Sequence, residues 1–134
     1  ANVEICEEAG RENNYIFGLT VDQVPQVKNG YNPWHVLDWN PKLRRVVDSL
    51  VDGTFNDGGT GTLKAVYDSL VYGYSPDHYL VLQDFADYVR VKEELLRDYG
   101  SDEFFKKCLR NLACCGKFSA DRSVREYAEL IWNI

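Results

Sequence analysis

The sequence predicts a mainly helical chain, with seven or eight helices and about one short strand. Three features point there. Apolar residues recur at three- and four-residue spacing along most of the 134 positions. Asparagine followed by proline occurs at Asn32-Pro33 and Asn40-Pro41, an N-cap and then the residue best suited to the first helical position. Only Tyr15-Ile16-Phe17-Gly18-Leu19 is a short apolar run with β-formers, the pattern of a buried strand.

In chain order, Asn2 to Ala9 is expected to form a short helix, with Val3, Ile5, Cys6 and Ala9 apolar and Gly10 as its C-terminal stop. The polar loop Arg11–Asn14 leads into the strand at 15–19. One strand cannot satisfy its own backbone groups, so it is expected to be a lone or edge strand whose neighbours are missing, with an apolar face exposed or paired with another copy of the chain. Thr20 to Gln23 is a capping box for a short turn of helix that Pro25 perturbs and Gly30 ends. Asn32-Pro33 opens one helix and Asn40-Pro41 the next, whose stripe is Leu43, Val46, Val47, Leu50 and Val51, closed by Gly53. After the polar loop from Asn56 to Gly61, Leu63, Val66, Tyr67, Leu70 and Val71 continue the pattern to Gly73. Ser75-Pro76-Asp77 is a turn, and Tyr79–Leu82 is apolar and either extended or ambiguous. Asp84 is expected to cap a long helix through Tyr99, with Phe85, Tyr88, Val89, Leu95 and Leu96 inward. Ser101 and Asp102 start another that buries Phe105, Cys108, Leu109 and Leu112 before Gly116.

The stretch from Phe118 to Ile134 closes the chain. Ser119 is the expected N-cap, and Asp121 sits in the first turn, where the helix dipole favours an anion. Val124, Tyr127, Ala128, Ile131 and Trp132 share one stripe, with Arg122–Glu126 and Arg125–Glu129 pairs on the outer face. A helix with that stripe is expected to dock as a terminal clasp on a larger body.

Composition excludes several classes. Hydrophobic content of 45% and aromatic content of 13% belong to a packed protein. The net charge of −6, with no basic block, makes nucleic acid and anionic membrane poor partners. No apolar run approaches the ~18 residues of a membrane span, and no signal-peptide pattern opens the chain. Cys6, Cys108, Cys114 and Cys115 do not form a spaced disulfide framework, which favours a reducing, cytosolic setting. There is no methionine, and Ala1 opens directly into helical pattern, so the chain is expected to be a piece of a longer one.

Residue chemistry assembles no complete catalytic set. Glu4, Glu7 and Glu8 could be paired carboxylates but fit a solvated helix face. Gly58-Gly-Thr-Gly-Thr-Leu-Lys64 precedes a helix and could cradle a phosphate, yet no strand leads into it and its Lys-Ala does not match a P-loop. Cys108, Cys114 and Cys115 lack a nearby histidine to complete a zinc site. A Cys114–Cys115 disulfide would strain a helix end. His35 and His78 lie apart, without a nucleophile beside them.

Motifs at the two ends say more. Ala1-Asn-Val-Glu4, Glu7-Glu-Ala-Gly10, Asn13 and Ile16-Phe-Gly18 resemble the run that follows the cofactor-binding segment in α-glucan phosphorylases, the glycogen, starch and maltodextrin phosphorylases. Asn111-Leu-Ala, Gly116-Lys-Phe-Ser119, Asp121-Arg122, Tyr127-Ala128 and Ile131-Trp132 resemble the closing motif of the same family. Gly30-Tyr31-Asn32, Asp84 and Tyr88-Val89 fall in register between them, so the resemblance covers the whole chain.

The resemblance implies an enzyme that transfers glucosyl from the non-reducing end of an α-1,4-glucan to phosphate, giving glucose 1-phosphate, with pyridoxal phosphate as cofactor. It implies a cytoplasmic homodimer in carbohydrate metabolism, built as a GT-B type glycosyltransferase with two Rossmann-like halves around a cleft. Residues 1–134 would be the C-terminal part of the C-terminal half, ending in the helix that crosses back toward the N-terminal half. The family's cofactor lysine ends a Gly-Thr-Gly-Asn-Met-Lys motif, which Gly59-Thr-Gly-Thr-Leu-Lys64 imitates. The family places that lysine upstream of Ala-Asn-Val-Glu, whereas Lys64 comes 60 residues after Glu4. Lys64 is therefore given a structural role. No catalytic, cofactor-binding or metal-binding residue is expected in this chain, which alone should be inactive and bind no pyridoxal phosphate.

Two other classes compete. A stand-alone helical interaction module would explain amphipathic helices without a site, and should fold by itself with 15–19 covered. A thiol-based redox or metal protein would need Cys114 or Cys115 exposed and acidified.

Overall fold

The computed structural model describes residues 2–134, so Ala1, which opens the first end motif, lies outside the described residues. Among them are eight α-helices: α1 (Asn2–Ala9), α2 (Gln23–Lys28), α3 (Pro33–Trp39), α4 (Pro41–Asp48), α5 (Thr62–Val71), α6 (Val81–Asp98), α7 (Asp102–Cys114) and α8 (Ala120–Tyr127). Arg11–Asn13 and Cys115–Phe118 are 3-10 turns, and α8 widens into a π turn at Ala128–Trp132. The chain divides into two compact units, Phe17–Arg90 and a second made of Ala1–Ile16 with Val91–Ile134.

Local capping explains most helix starts. Asn32 Oδ1 accepts the Trp34 N–H at 3.0 Å and Asn40 Oδ1 the Leu43 N–H at 3.1 Å, each ahead of a proline that has no N–H to lose. Ser101 and Ser119 cap α7 and α8 through the Phe104 and Arg122 N–H groups. Half of the Thr20 capping box forms: Gln23 Oε1 accepts the Thr20 N–H at 2.9 Å. Pro25 is tolerated in α2 because it falls in the first turn, where no intrahelical N–H is needed.

In the Phe17–Arg90 unit, Leu37, Leu43, Val47, Val71 and Leu82 form the buried core, and Trp34, Val36, Tyr67, Leu70 and Phe85 pack around them. Side chains of α3, α4, α5 and α6 thus meet at one point. In the other unit α1 packs on α7, and Ala9 and Val91 are its most buried apolar side chains.

Tyr15–Leu19 is not a strand, and no strand exists among the described residues. A strand requires a paired backbone, and none of the described segments supplies one. The amides that a sheet neighbour would take are donated to carboxylates of α6 instead. Gly18 N–H bonds Asp87 Oδ2 at 2.9 Å and Leu19 N–H bonds Asp84 Oδ1 at 3.0 Å. Gly18 has φ +87°, and a Cβ there would lie 2.6 Å from Asp84 Oδ2.

Two further expectations are corrected. The long helix begins at Val81 rather than at a cap on Asp84, because Asp77 accepts the Val81 and Leu82 N–H groups at 2.7 and 2.9 Å. Phe105, Leu109 and Leu112, read as buried, are 55%, 65% and 69% exposed, and Cys108, read as buried with them, is exposed too. The stripe of α8 is open as well: Val124, Tyr127, Ile131 and Trp132 are each more than half exposed. Helical spacing reports that a face is apolar and leaves open what covers it. Here α8 makes its main contacts with the turn before it and the π turn after it.

Candidate functional site

Within the unit of Ala1–Ile16 and Val91–Ile134, residues of the opening motif up to Asn13 meet residues of the closing motif, while Phe17 and Gly18 of the opening motif belong to the other unit. Gly10 ends α1 at φ +91°, and the 3-10 turn that follows folds Asn13 and Asn14 back onto it. Asn13 Nδ2 donates to the Ala9 carbonyl at 2.7 Å, and Asn14 Nδ2 to the Gly10 carbonyl at 2.8 Å. From α7, Asn111 Nδ2 donates to the Asn13 carbonyl at 2.8 Å. Lys117, in the turn after α7, pairs with Glu8 of α1. Ile5, Ala9, Cys114 and Phe118 line a small apolar recess beside that pair. Arg122 continues the closing motif: its Nε donates to the Lys117 carbonyl at 2.5 Å and its Nη1 pairs with Glu126, also at 2.5 Å.

Next to this junction lies a polar cluster that pattern reading missed. Tyr15 Oη donates to Asp98 Oδ2 at 2.7 Å, and Lys107 Nζ reaches the same oxygen at 3.0 Å. The Lys107 ammonium also stands 4.5 Å from the centre of the Tyr15 ring, a cation–π contact. The Tyr15 hydroxyl and then the Lys107 ammonium hold Asp98 below the usual carboxylate range. Asp98, then Tyr15, raises Lys107, while burial and the Asp98 bond raise Tyr15. Each shift favours the form already paired, so the cluster ties elements together and offers no free base or nucleophile. The sequence gives no local signal for it, because Asp98 and Lys107 stand among other charged residues and Tyr15 opens an apolar run.

The decoy loop is occupied by its own side chain. Asp57 accepts the Gly59 N–H at 3.0 Å and the Leu63 N–H at 3.2 Å, at the start of α5. The Leu63 N–H comes first among the groups that keep Asp57 below the ordinary carboxylate range. A phosphate there would meet a carboxylate on the amides it needs. Lys64 is exposed and pairs with Asp68 one turn on, at 2.5 Å. This loop does not fit a cofactor phosphate.

The other candidates stay apart. All four cysteines are free thiols; Cys108 and Cys115 are exposed, Cys6 and Cys114 half-buried. Among the described residues no three His, Cys, Asp or Glu side chains are grouped to hold a metal. His35 is exposed, and His78 shares a 3.1 Å hydrogen bond with Ser75. Glu4 and Glu7 are exposed on α1, and Glu8 pairs with Lys117. No described helix is long and apolar enough to cross a membrane.

Comparison with known proteins gives this junction its class: the carbohydrate phosphorylase family matches residues 1–134. The chain belongs to that family. It is 41% identical over its whole length to a glycogen phosphorylase of Synechocystis, and 40% to the brain form of glycogen phosphorylase from Mus musculus. Identity to the Homo sapiens muscle form is 36%, again over the whole chain. The chain spans 16% of the length of each of these relatives.

Proposed function

We propose that this chain is the C-terminal part of the C-terminal half of a glycogen-degrading α-glucan phosphorylase. The complete enzyme moves a glucosyl unit from the non-reducing end of an α-1,4-glucan to inorganic phosphate and releases glucose 1-phosphate. What carries the reading is the likeness to glycogen phosphorylases along the entire chain, both end motifs included. In this reading the cofactor lysine, the phosphate cradle and the glucose-binding carboxylate lie in other parts of the enzyme, which works as a cytoplasmic homodimer. Pyridoxal phosphate, bound there, supplies a phosphate group that donates and accepts a proton.

The role of residues 1–134 is structural. The bonds among Asn13, Asn111, Glu8 and Lys117 clamp the opening motif to the closing one, and the exposed stripe of α8 crosses back to the N-terminal half. The occupied Asp57 loop and the paired Lys64 support assigning no cofactor chemistry to the Gly58–Lys64 segment.

The test is phosphorolysis of glycogen by the complete protein, read as glucose 1-phosphate, alongside the 134-residue chain. The complete protein should be active, and Lys64→Ala should leave its turnover within about twofold, as for a surface ion pair. The isolated chain should show neither activity nor pyridoxal phosphate absorbance. Cofactor absorbance in the isolated chain, lost on Lys64→Ala, would overturn the assignment.

A further inference from the structure

Asn29-Gly30 is the one asparagine–glycine pair in the chain. It lies in the turn between α2 and α3, with Asn29 at φ −73°, ψ 97° and Gly30 at φ +90°. A glycine nitrogen has no side chain beside it to crowd its approach to the Asn29 amide carbon, and its backbone rotates freely enough to allow that approach. Nothing stands within 4 Å of where a Gly30 Cβ would be. Neither the Asn29 side-chain amide nor the Gly30 N–H makes a hydrogen bond among the described residues. The turn is held by two long bonds, Asn29 N–H to the Pro25 carbonyl and Tyr31 N–H to the Lys28 carbonyl, each at 3.3 Å.

Comparable positions lack that freedom. Asn32 and Asn40 precede prolines, which have no N–H. Asn13 and Asn14 donate their side-chain amides to the Ala9 and Gly10 carbonyls. Asp52 and Asp57 each precede a glycine, but their carboxylates accept the Thr54 and Leu63 N–H groups.

We propose that Asn29-Gly30 converts itself to an isoaspartyl link and thereby loosens the anchor between Tyr31 and Asp77. The Gly30 nitrogen gives up its proton and bonds to Asn29 Cγ, the Cγ–Nδ2 bond breaks, and ammonia leaves with that proton. Water then adds to one carbonyl of the cyclic imide. Opening at Cγ leaves aspartate; opening at the main-chain carbonyl leaves a backbone that runs through the side chain and is one methylene longer. Water is the only co-reactant. Two residues on, the Tyr31 hydroxyl bonds Asp77 at 2.6 Å, the buried carboxylate that also holds the Val81 and Leu82 N–H groups at the start of α6. An added backbone atom so close to Tyr31 moves its hydroxyl off that acceptor.

The experiment ages the complete protein in mildly alkaline buffer and maps its peptides by mass spectrometry, with isoaspartate scored by enzymatic methylation. Asn29 should convert at least about fivefold faster than Asn13 or Asn14, the factor that a single hydrogen bond supplies. Asn29→Gln, which would have to close a larger ring, should give no acidic form there and should keep its denaturant midpoint with age. The midpoint of the aged parent should fall toward that of fresh Tyr31→Phe. Tyr31→Phe itself should fall no further with age, and fresh Asn29→Asp, with the same charge on an ordinary link, should match the fresh parent. Equal conversion at the three asparagines overturns the proposal. Conversion at Asn29 with an unchanged midpoint, or with the same further fall in Tyr31→Phe, overturns it too.

Discussion

At Asp77 one buried carboxylate serves three donors: the Tyr31 hydroxyl at 2.6 Å and the Val81 and Leu82 N–H groups. The residue accepts a φ of +47° to do so. Asparagine and aspartate tolerate that region better than most residues. Burial, and then the Asp77 bond, push the Tyr31 hydroxyl far above its ordinary value of 10.0. The linkage follows from the direction of that shift: the folded state holds the Tyr31 proton more tightly than the unfolded chain does. Its stabilisation is complete below about pH 10 and is lost as pH rises toward the folded value. Tyr31→Phe should therefore cost roughly 1–2 kcal/mol at neutral pH and flatten the alkaline loss of stability. Denaturant midpoints measured from pH 7 to 11 check both. A variant whose midpoint falls as steeply as the parent above pH 10 would place the alkaline sensitivity elsewhere.

The segment Tyr15–Leu19 belongs to the scale of elements, since its conformation depends on what lies across from it. Its Gly18 and Leu19 amides are held by Asp87 and Asp84, 69 and 65 residues away in sequence. Gly18→Ala should be among the most destabilising small substitutions in the chain. It adds roughly 1–2 kcal/mol of left-handed backbone strain to a close contact with the Asp84 carboxylate. A denaturant midpoint unchanged by Gly18→Ala would mean that the clamp is not formed in solution. Gly18's N–H, with Arg90 next, keeps Asp87 below its ordinary 3.8. Its stabilisation is therefore present above that value and is lost as pH falls below it. Hydrogen exchange at the Gly18 amide should be slow at neutral pH and quicken, relative to the helices, under strong acid.

At the scale of the molecule, the open stripes of α7 and α8 separate two settings. Trp132 is 56% exposed in this chain, so Trp132→Ala should change the stability of the 134-residue protein by less than about 1 kcal/mol. In the complete enzyme, where the proposed crossing buries that ring, the same change should cost ~3–5 kcal/mol. Chemical denaturation of both forms decides it. Equal losses in the two would leave the crossing helix without support.

What could be read in advance divides along the range of the interactions. The starts of α3, α4, α7 and α8 were legible because an Asn or Ser side chain bonds an N–H only two or three residues on. The family was legible from the end motifs, which need no coordinates to compare. The start of α6 was misplaced by a few residues because its cap, Asp77, stands inside what looked like a turn. The strand at 15–19 was misread for a deeper reason. Apolar β-formers describe a preference, but a strand exists only where another backbone pairs with it, and here two aspartates of a distant helix hold its amides. The clamp of Asn13 on Asn111 and of Glu8 on Lys117, about a hundred residues apart, could not be read locally either. Helical periodicity fixes which face of α8 is apolar, and only packing decides whether that face is covered.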